Sequence, residues 1–199
     1  MNKKIIALIA LILVIVVCVG GYVSYYAYAS TVLIPKDVKV FKDELKSVEG
    51  NPIPESNITQ LESEANQIQN GPSLKIIPLS ERKKMVSNME KDPFYTTMNS
   101  TIDELNENIT INQEIASRYD ILMKGDVANN IRSVYDAQKM DLIQNMTKTV
   151  QDMLTDFENG NNTAVANDMR DMAGEGKELN KFAAEDKPKL QNIINSLGG

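Results

Sequence analysis

An uncharged run from Ile5 to Ala29 follows an opening that holds only two charged side chains, Lys3 and Lys4. Its length limits what it can be. The stretch Ile5 to Val23 alone has 19 residues, about 28 Å as a helix at ~1.5 Å per residue, enough to cross a hydrocarbon layer ~30 Å thick. The apolar core of a cleaved signal peptide is shorter, roughly 7–15 residues. The sequence therefore predicts a transmembrane signal-anchor helix over 5–29. The two lysines put residues 1–4 in the cytoplasm and the rest of the chain outside it.

The end of the run, "GGYVSYYAYAS", supports a second reading. Tyr22, Tyr25, Tyr26 and Tyr28 suit an aromatic rim at the membrane surface. Yet Ala27 and Ala29 ahead of Ser30 have the small-x-small form that a signal peptidase cuts, and Gly20-Gly21 would then close a shorter apolar core. Length favours the anchor; the alternative is a protein secreted after cleavage behind Ala29. Cys18, the only cysteine, follows Val17 where a lipoprotein signal needs a small residue, so it reads as a small hydrophobe inside the span.

Beyond a linker over 30–36 with Pro35, helical periodicity dominates. Val38, Phe41, Leu45 and Val48 form one stripe, ended by Gly50; Pro52 and Pro54 follow. Ser56 caps a second stripe of Ile58, Leu61, Ala65 and Ile68. "SLKIIPL" reads as an extended connector, and Ser80 opens a short basic helix, "SERKKMVSNMEK". Asp92-Pro93 is a strong helix start, an acidic cap followed by proline at the first helical position. From there Met98, Ile102, Leu105, Ile109, Ala116, Tyr119 and Met123 alternate in steps of four and three, with Asn112 as the polar member of the stripe. After Gly125-Asp126 a second long stripe runs through Val127, Ile131, Tyr135, Leu142, Met146, Val150, Met153 and Phe157. A break as tight as "MKGDV" predicts a long αα-hairpin. Past the polar loop "ENGNNT", Val165, Met169, Met172, Gly176 and Leu179 carry another helix, and a last one follows Pro188 through Leu190, Ile193, Ile194 and Leu197. The expected class is all-α: an extracytoplasmic antiparallel helical bundle, coiled-coil-like in its spacing, occupying 37–199.

The residue inventory rules out much chemistry. The chain has no histidine and no tryptophan, and no cysteine beyond Cys18. Past residue 30 there is neither thiol nor imidazole, which excludes Ser-His-Asp and Cys-His catalysis, His/Cys zinc sites and haem ligation by histidine. Of the 21 basic residues 19 lie beyond residue 30, against all 27 acidic ones. An acidic domain without a basic stripe does not suit nucleic acid, because phosphate neutralisation supplies most of that affinity.

What remains are weak signals. Asp168, Asp171, Glu175 and Glu178 share one helix face, but a helix spreads them over ~15 Å, so the ladder reads as a solvated face rather than a cation site. "DFENGNN" has its glycine in the wrong place for an EF-hand. The methionines read as adaptable core filling, and "ERKKM" as a solvated basic turn. Asn-x-Ser/Thr acceptors stand at Asn57, Asn99, Asn108, Asn145 and Asn161, an excess over the about two that chance supplies, consistent with an extracellular glycoprotein. A carboxylate-dependent envelope hydrolase, which would need two carboxyls roughly 5–9.5 Å apart in a cleft, is the minor alternative, since a narrow bundle without an aromatic platform suits it poorly. The chain is thus expected to be non-catalytic, without cofactor or metal. It would be held at the membrane by its N-terminal helix and act as an interaction, structural or ligand-sensing module toward a protein or cell-envelope partner.

Overall fold

Helices follow the apolar stripes closely. A computed structural model describes residues 3–49 and 53–198, and the side chains of these except 3–13, 15, 16, 93 and 94. Gly50 and Pro52 lie outside the described residues. Among those described, the chain is helical with no strand: α1 (Lys3–Tyr28), a π-helical turn (Ala29–Leu33), α2 (Ile34–Ser47), α3 (Glu55–Asn70), a 3-10 turn (Leu74–Ile76), α4 (Leu79–Met89), α5 (Pro93–Ile121), α6 (Gly125–Arg132), α7 (Ala137–Asn159) and α8 (Asn162–Ser196). The all-α expectation holds. By length and composition, the apolar N-terminal helix is able to cross a membrane, or to serve as a signal sequence.

Several boundaries differ from the sequence reading, each for a local reason. Residues 30–36, expected as a linker, are helical: the π turn, in which the Ile34 N–H donates to the Ala29 carbonyl, carries α1 into α2 without a break, and Pro35 follows it at the start of α2. α3 begins at Glu55 behind Pro54, ahead of Ser56. "SLKIIPL" contains a 3-10 turn in which the Ser73 hydroxyl accepts from the Lys75 N–H at 3.3 Å. The second long stripe is split. Asp136, in extended backbone, accepts from the Lys139 N–H at 3.1 Å and starts α7 afresh, so 125–157 is two helices. Conversely the last two expected helices are one. Pro188 lies inside α8 on its exposed side, where the carbonyl it leaves unpaired faces water.

The buried side chains fall into two clusters. The first joins α3, α5, α7 and α8 through Ile58, Leu61, Ala65, Met98, Ile102, Met146, Met153, Phe157, Val165 and Met169. The second joins the π turn, α2, the end of α5, α6 and the end of α8 through Ala29, Phe41, Ile115, Ala116, Tyr119, Leu122, Ile131, Leu190, Ile193 and Ile194. Each fully buried Leu, Ile, Met or Phe here contributes about 1.5–3 kcal/mol relative to exposure. The carboxyl of Asp37 on α2 accepts from Arg118 of α5 at 2.5 Å, and Glu44 of α2 meets Asn112 of α5, so α2 and α5 run antiparallel.

Two helix ends show the same cap with different residues. At the end of α7 the Gly160 N–H donates to Phe157 and the Asn161 N–H to Asp156, with Gly160 at φ 74. At the end of α5 the Met123 N–H donates to Asp120 and the Lys124 N–H to Tyr119, with Met123 at φ 57. Both are Schellman caps, in which glycine normally takes the left-handed position. A side chain there costs roughly 1–2 kcal/mol. Met123, expected in the core stripe, is instead 83% exposed.

Candidate functional site: a polar layer, a cleft and an acidic groove

Between the two clusters lies a layer of polar side chains, one from each of four helices. Along α2, Asp37, Phe41, Glu44 and Val48 repeat in steps of four, three and four. Along α5, Ile109, Asn112 and Ala116 do the same; along α7, Lys139, Ile143 and Met146; along α8, Ala183, Asp186 and Leu190. Glu44, Asn112, Lys139 and Asp186 thus occupy core positions of the heptad and are all buried, at 3–5% exposure. Of the four, the sequence reading singled out only Asn112. The signal for the rest is the same apolar repeat, continued until a charged residue falls on it.

The layer pairs internally. Lys139 Nζ donates to Asp186 Oδ1 and to the Val134 carbonyl, and lies 5.4 Å from the centre of the Phe182 ring. Lys189 reaches the same Asp186 oxygen at 3.5 Å. Burial pushes the Asp186 carboxyl up and the Lys139 ammonium down, and each opposes the other's shift. Asn112 Nδ2 donates to both oxygens of Glu44, at 3.0 and 3.2 Å. Burial pushes the Glu44 carboxyl up to about 7; the Asn112 bond opposes this and the negative charge of Asp186 adds to it. Asn112 Oδ1 is buried without a partner. A proton on Glu44 would supply one, turning a fork from a single donor into a paired acid–amide contact.

A cleft of about 370 Å³ opens between α3, α4 and the start of α5. Leu61, Met89 and Tyr95 form its apolar side, and Asn57, Gln60, Glu64, Asn88 and Asp92 its polar side. The Tyr95 hydroxyl lies 3.8 Å from Met153 Sδ, and burial raises its pKa, with the charges of Glu64 and Asp92 adding to the effect. The volume falls in the range of small-ligand sites.

Below the cleft, Arg82 holds the connector in place. It belongs to the "ERKKM" turn read as solvated, but it is buried and donates to the carbonyls of Leu74 (3.1 Å), Ile77 (2.7 Å) and Glu158 (2.8 Å). Asn162 stitches the same corner, accepting from the Leu74 N–H at 2.7 Å and donating to the carbonyls of Ile68 and Pro72.

The carboxylate ladder lies along a shallow groove between α7 and α8. Asp168, Asp171, Glu175 and Glu178 face Asn145, Lys148, Thr149 and Asp152 there. Burial, with the like charges of Asp156, Asp152 and Asp171, raises Asp168 to about 6. Burial also raises Glu175, against the 3.0 Å bond it accepts from Thr149. Among the described residues no three Asp, Glu or Cys side chains converge as a cation site.

The remaining candidates are dispersed. Asn99, Asn145 and Asn161 are exposed, whereas Asn57 and Asn108 are half-buried. In three acceptor triplets the middle residue (Ile58, Ile109 or Met146) is a core side chain, so the triplet straddles the edge of a buried stripe. Asn161 caps α8, accepting from the Ala164 N–H at 3.2 Å. Tyr22, Tyr26 and Tyr28 are exposed on α1 and Tyr25 is half-buried against the second cluster; the rings of Tyr22 and Tyr26 lie 6.3 Å apart. Ala27 and Ser30 are exposed, whereas Ala29 is fully buried in the second cluster. No protein family, curated protein or solved structure matches this chain.

Proposed function

We propose that the chain is a membrane-tethered, non-catalytic binding module. The helical bundle stands outside the cytoplasm, with the α5–α6 hairpin at its membrane end, and presents the α3–α4–α5 cleft to a ligand or envelope partner. One observation carries the tether. The apolar helix runs through the π turn into α2, and Ala29, the residue before the cleavable bond, packs at 0% exposure in the same cluster as Phe41. Cleavage behind Ala29 would strip that cluster of Ala29 and Tyr25 and leave Leu33 and Ile34 at a raw chain end. The acidic balance of the bundle speaks against nucleic acid. Two observations speak against a carboxylate hydrolase: the cavity that reaches Asp186 holds about 30 Å³, room for water and not for a sugar ring, and the ladder of Asp168, Asp171, Glu175 and Glu178 lies along a shallow groove rather than in a cleft.

Fractionation with intact-mass measurement of the expressed chain tests the tether. Full-length protein extracted only by detergent is the expected result, with hexose-sized additions if the exposed asparagines carry glycans. Protein starting at Ser30 in the medium would sink it and establish the secreted reading instead.

A further inference from the structure

We infer that the turn joining α5 to α6 is a second membrane contact, with Ile121 and Met123 seated in the lipid–water interface beside Tyr25. This rests on the tether reading, because it requires α1 to lie in a bilayer.

Three independent observations converge on it. The first is direction. The Asp37–Arg118 and Glu44–Asn112 pairs fix α2 and α5 as antiparallel, so α5 ends where α2 begins, at the mouth of the apolar helix. Tyr25 borders a shallow cavity that follows α5 from Thr110 through Glu114 and Arg118 to Ile121, and it packs on the cluster that contains Leu122. Tyr25 stands only two residues past Val23, the end of a 19-residue span, and so at the level of the headgroups.

The second is exposure. Leu122 is buried, but its neighbours Ile121 and Met123 are 59% and 83% exposed, among the most exposed large apolar side chains beyond α1. The turn also carries charged side chains. Asp120 is paired with Arg132, Lys124 is suited to reach a phosphate, and Asp126 stands one step further on at the start of α6.

The third is the backbone. Met123 occupies the left-handed position of a Schellman cap, the place Gly160 fills at the end of α7. Glycine would relieve the strain, and Gly125 stands only two residues away. An unbranched thioether held out from the cap by a strained backbone has no internal contact to explain it. An acyl-chain boundary gives it one.

Site-directed fluorescence on the full chain in lipid nanodiscs, one copy per disc, tests this. In a Cys18→Ser background, an environment-sensitive dye is placed at Met123→Cys, at Val14→Cys in the apolar run, and at Lys84→Cys on α4, with helical circular dichroism confirming each fold. The expected result is blue-shifted emission at 123 and at 14, both lost when spin-labelled lipid is included, with 84 unaffected. Loss at 14 but not at 123 overturns the inference and leaves the tether standing. No loss at 14 removes both. A blue shift at 123 without loss to labelled lipid means that protein covers the turn, and that also overturns the inference.

Discussion

Glu44→Gln should free the protein of a pH-dependent weakness. Glu44 is 5% exposed and its carboxyl is raised from 4.5 to about 7. A raised carboxyl binds its proton more tightly in the folded chain than in the unfolded one. Below about 4.5 both states are protonated and this group makes no difference. As pH rises to 7 the unfolded chain ionises freely while the folded one resists, so stability falls, and above 7 the full penalty is in place. At about 1.4 kcal/mol per pH unit, the interval amounts to about 3 kcal/mol. Glutamine cannot ionise, and its amide both accepts from Asn112 Nδ2 and donates to the partnerless Asn112 Oδ1. Urea unfolding of the detergent-solubilised chain, followed by helical circular dichroism, gives the comparison. Variant and parent should be nearly equal at pH 4.5, with the variant more stable by about 3 kcal/mol at pH 8. Asp168 shifts in the same direction in both proteins and cancels in the difference, whereas the repulsion between Glu44 and Asp186 is removed with the Glu44 charge and is part of the effect. Parallel pH profiles, or a variant less stable at pH 8, would refute the reasoning.

Three further outcomes follow from the same packing. Met123→Gly should raise the midpoint of thermal unfolding, since it removes roughly 1 kcal/mol of left-handed strain at an exposed cap; an unchanged or lower midpoint would show that the cap is not strained. Lys139→Met leaves buried Asp186 with only Lys189, at 3.5 Å, and should cost about 3 kcal/mol in the same urea assay at pH 7, with much of that recovered in the double variant carrying Asp186→Leu. Arg82→Ala unties the Leu74 and Ile77 carbonyls of the α3–α4 connector and the Glu158 carbonyl at the end of α7 and should cost about 3 kcal/mol in urea, and Arg82→Lys should recover only part, because an ammonium cannot span the fork.

Helices were legible in the sequence because apolar side chains at steps of three and four leave one stable arrangement, and Phe41, Ile58, Met153 and Ile193 are buried as their stripes require. Boundaries were less legible. Asp136 restarts a helix in the middle of an unbroken apolar repeat, and Pro188 fails to end one because its unpaired carbonyl faces solvent. The polar layer escaped notice for a different reason. A charged residue is ordinarily read as surface, so the sequence carries the α2 stripe through Val38, Phe41, Leu45 and Val48 and leaves Asp37 and Glu44 off it, although both are buried. Burial of Lys139 and Asp186 becomes visible only when each supplies the other's counter-charge. The cleft was not legible at all, since it depends on how α3, α4 and α5 meet between Asn57 and Tyr95.

The polar layer also divides the molecule in the way it opens. Two apolar clusters separated by partly ionised side chains, with Tyr135 packed against both, are expected to be only weakly coupled in opening. Amide exchange should therefore show two cooperative units. The unit holding Phe41, Tyr119 and Ile193 contains the end of α8 and the mouth of the apolar helix. It could loosen while α3, α7 and the first half of α8 keep their protection. Protonation of Glu44 would then set how closely the two units move together.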